Sequence, residues 1–282
     1  MRTLRCGDRQ FAVGARAIVM GIVNITPDSF SDGGQHHTTT AAVDHALRLL
    51  DDGADVLDLG GESTRPNAAV VDVDEERRRV LPVVEALVQR GHKNLSIDTR
   101  RAVVAAEALA AGASWVNDVS GFGDRAMPAA CRSADAAIVM HWDTSDAGQQ
   151  VVRADVVNDV VTGLRHAIAL GLAAGLRPEQ LLIDPGLGFS KSLNDNLRLT
   201  RELSTWRVRC GDFPVVYGPS RKRFLGELTG RTQAADRDAA TVGAVVYAVL
   251  HGADVVRVHD VRGCVDALRV VEALRATPTD RA

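Results

Sequence analysis

The sequence predicts an α/β protein folded as a single (β/α)8 TIM barrel with a short N-terminal β-hairpin. Three observations carry this expectation. Eight short apolar runs alternate with helical patterns along the 282 residues. Each run is too short for a helix and is rich in Val, Ile or Leu, as in strands buried on both faces. Seven of the eight runs end in a polar residue that strand propensity disfavours, as expected where strand C-termini share one mouth. A doubly wound open sheet is the rival arrangement for the same alternation.

The elements follow in order. Leu4–Val13, turning at Gly7-Asp8, reads as a hairpin within residues 1–16. Strands are expected at Ala17–Asn24, Asp55–Gly60, Leu95–Asp98, Trp115–Asp118, Ala137–His141, Leu181–Asp184, Pro214–Gly218 and Val255–His259. Helices are expected at Thr39–Asp52, Val73–Arg90, Arg101–Ala111, Val151–Ala174, Asn194–Leu203 and Ala234–His251. Several of these close on a glycine, in "DGAD" (52–55), "AAGAS" (110–114), "AAGLRPEQ" (173–180) and "HGAD" (251–254). A left-handed glycine is the common way to end a helix before the next strand. No Ser/Gly/Pro-rich linker divides the chain, so residues 17–275 form one barrel domain and 276–282 a frayed tail.

Composition excludes several function classes. The chain is 46% apolar, 24% charged and 4% aromatic, an ordinary globular balance. Lys plus Arg is 33 and Asp plus Glu is 36, a net charge of −3, which argues against a dedicated nucleic-acid or membrane-surface protein. Apolar runs such as Val242–Leu250 are too short to span a bilayer, and Met1–Gly14 lacks the basic-then-apolar pattern of a signal peptide. Cys6, Cys131, Cys210 and Cys264 are scattered without a C-x-x-C pair, so a reducing cytoplasm fits better than a disulfide framework or a zinc site.

The polar strand ends are Asn24, Asp98, Asp118 after Asn117, His141, Asp184, Ser220 just past strand 7, and His259 after Arg257. Strand 2 ends in Gly60-Gly61-Glu62, where Glu62 reads as a loop-ordering charge. Any one of these residues serves as a turn-former or cap; the whole set exceeds what caps need. Asp98, Asn117 and Asp184 suit a flat heterocycle with an amidine-like N–H edge, because a carboxylate accepts a fork of two such bonds. The same oxygens also suit a divalent metal. No His/Asp spacing resembles a dinuclear hydrolase site, which favours the heterocycle. Arg257, His259, Asn24 and the Ser220-Arg221-Lys222 cluster suit anionic oxygens, since such barrels hold phosphate with the loops of strands 7 and 8. Two loops, residues 26–34 and 61–66, carry glycine, hydroxyls and charge beside the mouth and are suited to closing over a substrate.

These segments resemble the dihydropteroate synthase family over essentially the whole chain. The matching stretches are "GIVNITPDSFSDGG" (21–34), "DLGGESTRP" (58–66), "SIDTRR" (96–101), "NDVSG" (117–121), "MHW" (140–142), "LIDPGLGFSK" (182–191), "GPSRKRFLG" (218–226) and "RVHDV" (257–261). The resemblance implies condensation of 6-hydroxymethyl-7,8-dihydropterin diphosphate with 4-aminobenzoate, giving 7,8-dihydropteroate and diphosphate. It implies that Asp98, Asn117 and Asp184 hold the pterin, that Lys222 reaches a ring acceptor and that Met140 packs on the ring. It places Asn24 at Mg2+ and the diphosphate, and Thr64, Arg257 and His259 at the diphosphate oxygens. Phe30, Arg65, Pro66, Phe189 and Ser220 would border the aminobenzoate, where sulfonamide drugs also bind in this family. Catalysis would rest on Asp98, Lys222, Arg257 and His259. The family is usually dimeric, and the apolar faces of Ala239–Leu250 or Val265–Leu274 could serve a homodimer.

The chain departs from the family at Asn67, where Gly is usual, and at Tyr217 and Pro219, near the usual small residues of strand 7. Both changes could reshape the aminobenzoate rim. A pterin-dependent methyltransferase shares such a barrel, but "TPDSFSDGG" and "SRK" weigh against it, because that class has no diphosphate to hold. A non-catalytic pterin-binding paralogue is countered by the intact motifs. A sugar-phosphate isomerase or aldolase would need a Lys or Glu base at a strand end, and none stands out.

Overall fold

In a computed structural model, residues 2–25, 35–62, 71–142 and 153–276 are described. Strands β1 (Thr3–Cys6) and β2 (Arg9–Ala12) form the antiparallel hairpin. Eight parallel strands follow: β3 (Ile18–Asn24), β4 (Val56–Gly60), β5 (Leu95–Asp98), β6 (Trp115–Asp118), β7 (Ala136–Met140), β8 (Leu181–Asp184), β9 (Val216–Tyr217) and β10 (Val255–Val258). Their order is β8-β7-β6-β5-β4-β3-β10-β9. A parallel bridge between Ile183 and Val215 joins the last strand to the first, helped by the bond from Ile183 N–H to Pro214 O at 2.9 Å. The sheet therefore closes on itself, and the open-sheet rival falls.

The helices are α1 (Gln35–Asp51), α2 (Val73–Gln89), α3 (Ala102–Ala110), α4 (Met127–Ala130), α5 (Val156–Ala173), α6 (Leu193–Arg201), α7 (Leu203–Arg209), α8 (Arg223–Thr229), α9 (Asp238–Leu250) and α10 (Val261–Arg275). Differences from the sequence reading have local causes. The helix expected from Val151 starts at Val156, because Asp155 caps it by accepting from the Asn158 N–H. The helix expected over Asn194–Leu203 is α6, which ends at Arg201, and a further short helix, α7, follows it after Glu202. A 3₁₀ turn at Ala235–Arg237 precedes α9. Strand β9 keeps two of its expected five residues, since Pro214 and Pro219 flank it and neither can donate to a ladder. The short α4 and α8 carried too little periodicity to be predicted. Helix α5 is 18 residues long and apolar enough to meet the length criterion for a bilayer span. Its buried face, including Val160, Leu164 and Ile168, packs with β7 and β8.

Alternation along each strand sorts side chains into two apolar layers. Leu57, Leu59, Leu95, Ile97, Val116 and Val256 face the helices. Ile18, Met20, Val56, Trp115, Ile138, Leu182, Val216 and Val255 fill the barrel interior. The hairpin adds Leu4, Cys6 and Phe11 to that inner cluster, and Trp115 Nε1 donates to Arg5 O at 2.6 Å. The hairpin thus plugs the end of the barrel where the strands begin, which leaves the opposite end for chemistry.

Candidate active site at the barrel mouth

The inner face continues upward with the same period of two. In phase with the apolar residues below stand Asn24, Asp58, Asp98, Asn117, Met140, Asp184, Gly218 and Arg257. Arg257 is the centre of this layer. Its Nε donates to Asp58 Oδ2 at 2.6 Å and its Nη2 to Asp98 Oδ2 at 2.6 Å. Asn117 Nδ2 donates to the same Asp58 oxygen at 2.9 Å. Asp58 is 0% exposed, and its Oδ1 has no partner among the described residues. One buried carboxylate thus aligns a cation and an amide from strands on either side. The sequence reading missed Asp58, although a charge in the middle of the apolar strand "VLDLG" was a signal for it.

Asp184 lies across Gly218 from Arg257: a Cβ on that glycine would meet Asp184 Oδ2 at 3.8 Å and Arg257 Cβ at 3.7 Å. Asp184 Oδ1 accepts from the Gly186 N–H at 2.7 Å. Lys222 points to the same corner, donating to Leu187 O with Nζ 4.7 Å from the Phe189 ring centroid. The structure therefore brings Asp98, Asn117, Asp184, Lys222, Arg257 and Phe189 to one rim.

Electrostatics follow from this packing. Burial pushes the Asp98 carboxyl up to about 7, against the opposing pull of Arg257. Burial also raises Asp184, with Lys222 pulling it back. Burial lowers the Lys222 ammonium to about 8, with Asp184 opposing. Around Arg257 the attraction of Asp58 and Asp98 outweighs burial, so the guanidinium stays charged.

A second cluster completes the mouth. Ser220 Oγ accepts from the His259 N–H at 3.1 Å and lies 2.8 Å from Nδ1. Asn24 Nδ2 lies 3.5 Å from the His259 Nε2. These residues follow the seventh and eighth barrel strands and the first, the usual place for phosphate in such barrels. Asn24 offers one neutral oxygen, and among the described residues no group of three or more His, Cys, Asp or Glu side chains could cage a metal. Among the described residues that donor set alone would not cage an ion. The Asn24 oxygen would suit a hard cation such as Mg2+ that is held mostly by other ligands.

Some expectations need correction. Asp118 and His141 do not face the mouth, because each follows an inward residue and alternation turns it outward. Asp118 instead caps its own loop, accepting from Ser120 and Phe122 N–H at 2.8 and 2.7 Å, and the His141 ring lies against Gly163 of α5. Arg221 also leaves the anion cluster: at φ +58 it turns to Asp238 and makes a fork at 2.7 and 2.8 Å. Tyr217 faces the helix layer, where its hydroxyl meets Thr200 Oγ1 at 3.0 Å, and does not reach the rim. Glu62 does order a loop. It binds Arg100 at 2.9 Å and Arg101 at 3.1 Å and accepts from the Val71 N–H at 3.3 Å, tying the two ends of the second loop together. Phe30, Thr64, Arg65, Pro66 and Asn67 lie outside the described residues.

Comparison with known proteins agrees with this geometry. Residues 20–259 match the pterin binding enzyme family. The dihydropteroate synthase of Neisseria meningitidis serogroup C is 44% identical, over 91% of this chain and 92% of its own length. The solved Xanthomonas albilineans dihydropteroate synthase with 4-aminobenzoic acid superposes with a TM-score of 0.92 at 45% identity, covering 98% of this chain and 99% of that one. The same enzyme in complex with 7,8-dihydropteroate gives 0.88 at 43% identity, over 98% and 100%. The chain spans 52% and 60% of two Arabidopsis thaliana folate synthesis bifunctional proteins that it also matches, at 38% and 37% identity over 97% of its own length. This chain belongs to the pterin-binding enzymes and, within them, to the dihydropteroate synthase family.

Proposed function

We propose that this chain condenses 6-hydroxymethyl-7,8-dihydropterin diphosphate with 4-aminobenzoate to give 7,8-dihydropteroate and diphosphate, a step of folate synthesis. The observation that carries the proposal is the convergence of Asp98, Asn117 and Asp184 with Arg257 and Lys222 on one rim. Asp98 and Asp184 accept the amidine-like edge of the pterin, Asn117 supplies an oriented amide, Lys222 donates to a ring acceptor and Met140 covers the ring face. Thr64, Arg257 and His259 take the diphosphate oxygens, with Asn24 beside them. Mg2+, when bound with the diphosphate, neutralises charge on the leaving group. Phe30, Arg65, Pro66, Phe189 and Ser220 border the aminobenzoate, and the same rim would accept sulfonamides.

In the reaction the bond from the exocyclic methylene carbon to the diphosphate oxygen breaks. A bond forms to the aniline nitrogen, which releases one proton. The dihydropterin delocalises the positive charge that grows on the methylene, and the ring-side carboxylate of Asp98 stabilises it. Arg257 and His259 meet the negative charge growing on the leaving oxygens. The aniline is neutral at pH 7 and needs no strong base, so no nucleophile–base dyad is called for.

The chain would work in the cytoplasm, consistent with four buried free cysteines. It would pair as a homodimer through the outer faces of α9 and α10, which expose Leu250 and Leu274. The functional test is diphosphate release from the pterin diphosphate in the presence of Mg2+. Release that depends on 4-aminobenzoate is expected. Pterin binding without turnover would favour a non-catalytic paralogue.

A further inference from the structure

The loop between β8 and α6 is held more tightly than a surface connection needs. Gly186, at φ +67, passes so close to the end of β7 that a Cβ there would lie 2.0 Å from His141 O. Gly188, at φ +76, leaves room for the Lys222 stem, 2.9 Å from where its Cβ would stand. Ser190 is left-handed at φ +50 without being glycine, a conformation that surrounding contacts must impose. Two buried polar side chains impose it. Asn196 of α6 accepts from the Gly188 N–H at 2.7 Å and donates to Ser192 O at 2.7 Å. Lys191, 5% exposed, donates from Nζ to His141 O at 3.2 Å, Gly186 O at 2.9 Å and Phe189 O at 3.3 Å. An ammonium has three N–H bonds to give, and three carbonyls receive them. No carboxylate forms an ion pair with Lys191 among the described residues.

We propose that Lys191 is a positioning residue for the aminobenzoate half of the site. It gathers the carbonyls of His141, Gly186 and Phe189, and so sets the Phe189 ring and the Leu187 carbonyl against Lys222. The proposal rests on reading the mouth as a dihydropteroate synthase site. The Phe189 ring is held between the Lys222 ammonium and the Trp142 ring, whose centroid is 5.0 Å away, so freeing the loop would loosen all three. The clamp needs the protonated amine, because a neutral one turns a lone pair toward a carbonyl. Burial lowers Lys191 to about 7, with the Arg153 and Lys222 cations adding to the fall and Asp184 and Asp195 opposing it. The clamp therefore weakens as pH rises above neutrality.

Lys191→Met keeps the stem length and removes every donor. It is expected to raise the KM for 4-aminobenzoate roughly tenfold, while pterin diphosphate affinity changes by less than about threefold. Trp142 emission, isolated by subtracting Trp142→Phe spectra, is expected to shift to the red, since Trp115 and Trp206 are fully buried elsewhere. This optical reading needs no turnover. If the wild-type chain makes no dihydropteroate yet Trp142 shifts in Lys191→Met, the reaction assignment fails and the clamp stands. If the wild-type chain is active and neither KM nor emission moves, the clamp is overturned. Equal losses in kcat and in both affinities, with a lower Tm, also overturn it. Should Lys191→Met not fold, Lys191→Gln, which retains two N–H bonds, is judged by the same readouts.

Discussion

The two ends of strands β4 and β10 use the same residue types for opposite purposes. At their entry each carries the Asp of a "GAD" sequence. Asp55 accepts from the Val19 N–H at 3.0 Å and pairs with Arg16 at 2.6 Å. Asp254 accepts from the Val215 N–H at 2.8 Å and pairs with Arg207 at 3.1 Å. Three residues on, the same strands present Asp58 and Arg257, which bond to each other at 2.6 Å. The entry carboxylates hold backbone of a neighbouring strand. Asp58, by contrast, holds side chains that a ligand can use, and it keeps one oxygen unpartnered among the described residues.

The sharpest way to break this contrast is to remove one carboxylate from each end. Asp58→Ala strands a buried guanidinium and an amide. Losing one member of a buried pair costs about 3–5 kcal/mol of stability, and turnover per folded molecule should fall by roughly a hundredfold or more, because Arg257 and Asn117 lose the carboxylate that aligns them. Asp55→Asn should leave kcat per folded molecule unchanged and lower stability by about 1–3 kcal/mol in denaturant melts. Comparable catalytic losses in both variants would erase the distinction.

Asp98→Asn comes next. It should depress kcat by on the order of a hundredfold while leaving affinity for inorganic diphosphate nearly intact, because a carboxylate that stabilises developing charge acts on the transition state. Equal losses in both would show that Asp98 is not such a group. Asp98 also predicts a pH dependence. Its folded-state value is raised to about 7 from an ordinary 3.8. Between those limits the folded protein holds a proton that the unfolded chain has released, so ligand-free stability falls as pH rises from about 4 to 7. Pterin binding has the opposite sign. It requires the ionised carboxylate, and affinity should strengthen by about tenfold per unit as pH rises toward 7. Asp98→Asn should flatten both profiles.

The smallest effect is expected at Arg221. Its pair with Asp238 is part-exposed on both sides, so Arg221→Gln should cost less than about 1 kcal/mol and leave diphosphate affinity unchanged. A large loss of diphosphate binding would return Arg221 to the anion site.

Much of this was legible in the sequence, for identifiable reasons. Asp98, Asn117 and Asp184 stand out because apolar strands do not end in such residues by propensity. What stayed hidden depends on facing. Asn117-Asp118 and Met140-His141 are adjacent pairs, and only the phase of alternation tells which member points inward. Asp58 sits mid-strand, where a strand-end criterion does not look, although it is in phase with Val56 below it. The direction of Arg221 depends on a left-handed backbone, and the burial of Lys191 on a loop whose closure no periodicity encodes.

The most direct measurement is calorimetric binding of two separate fragments, a pterin lacking the diphosphate and inorganic diphosphate with Mg2+, to wild type and to Asp184→Asn. The carboxylate rim predicts that the variant loses pterin affinity by on the order of a hundredfold and keeps diphosphate affinity within about threefold. Unchanged pterin affinity, or diphosphate affinity lost in its place, would contradict the assignment of this rim to the heterocycle.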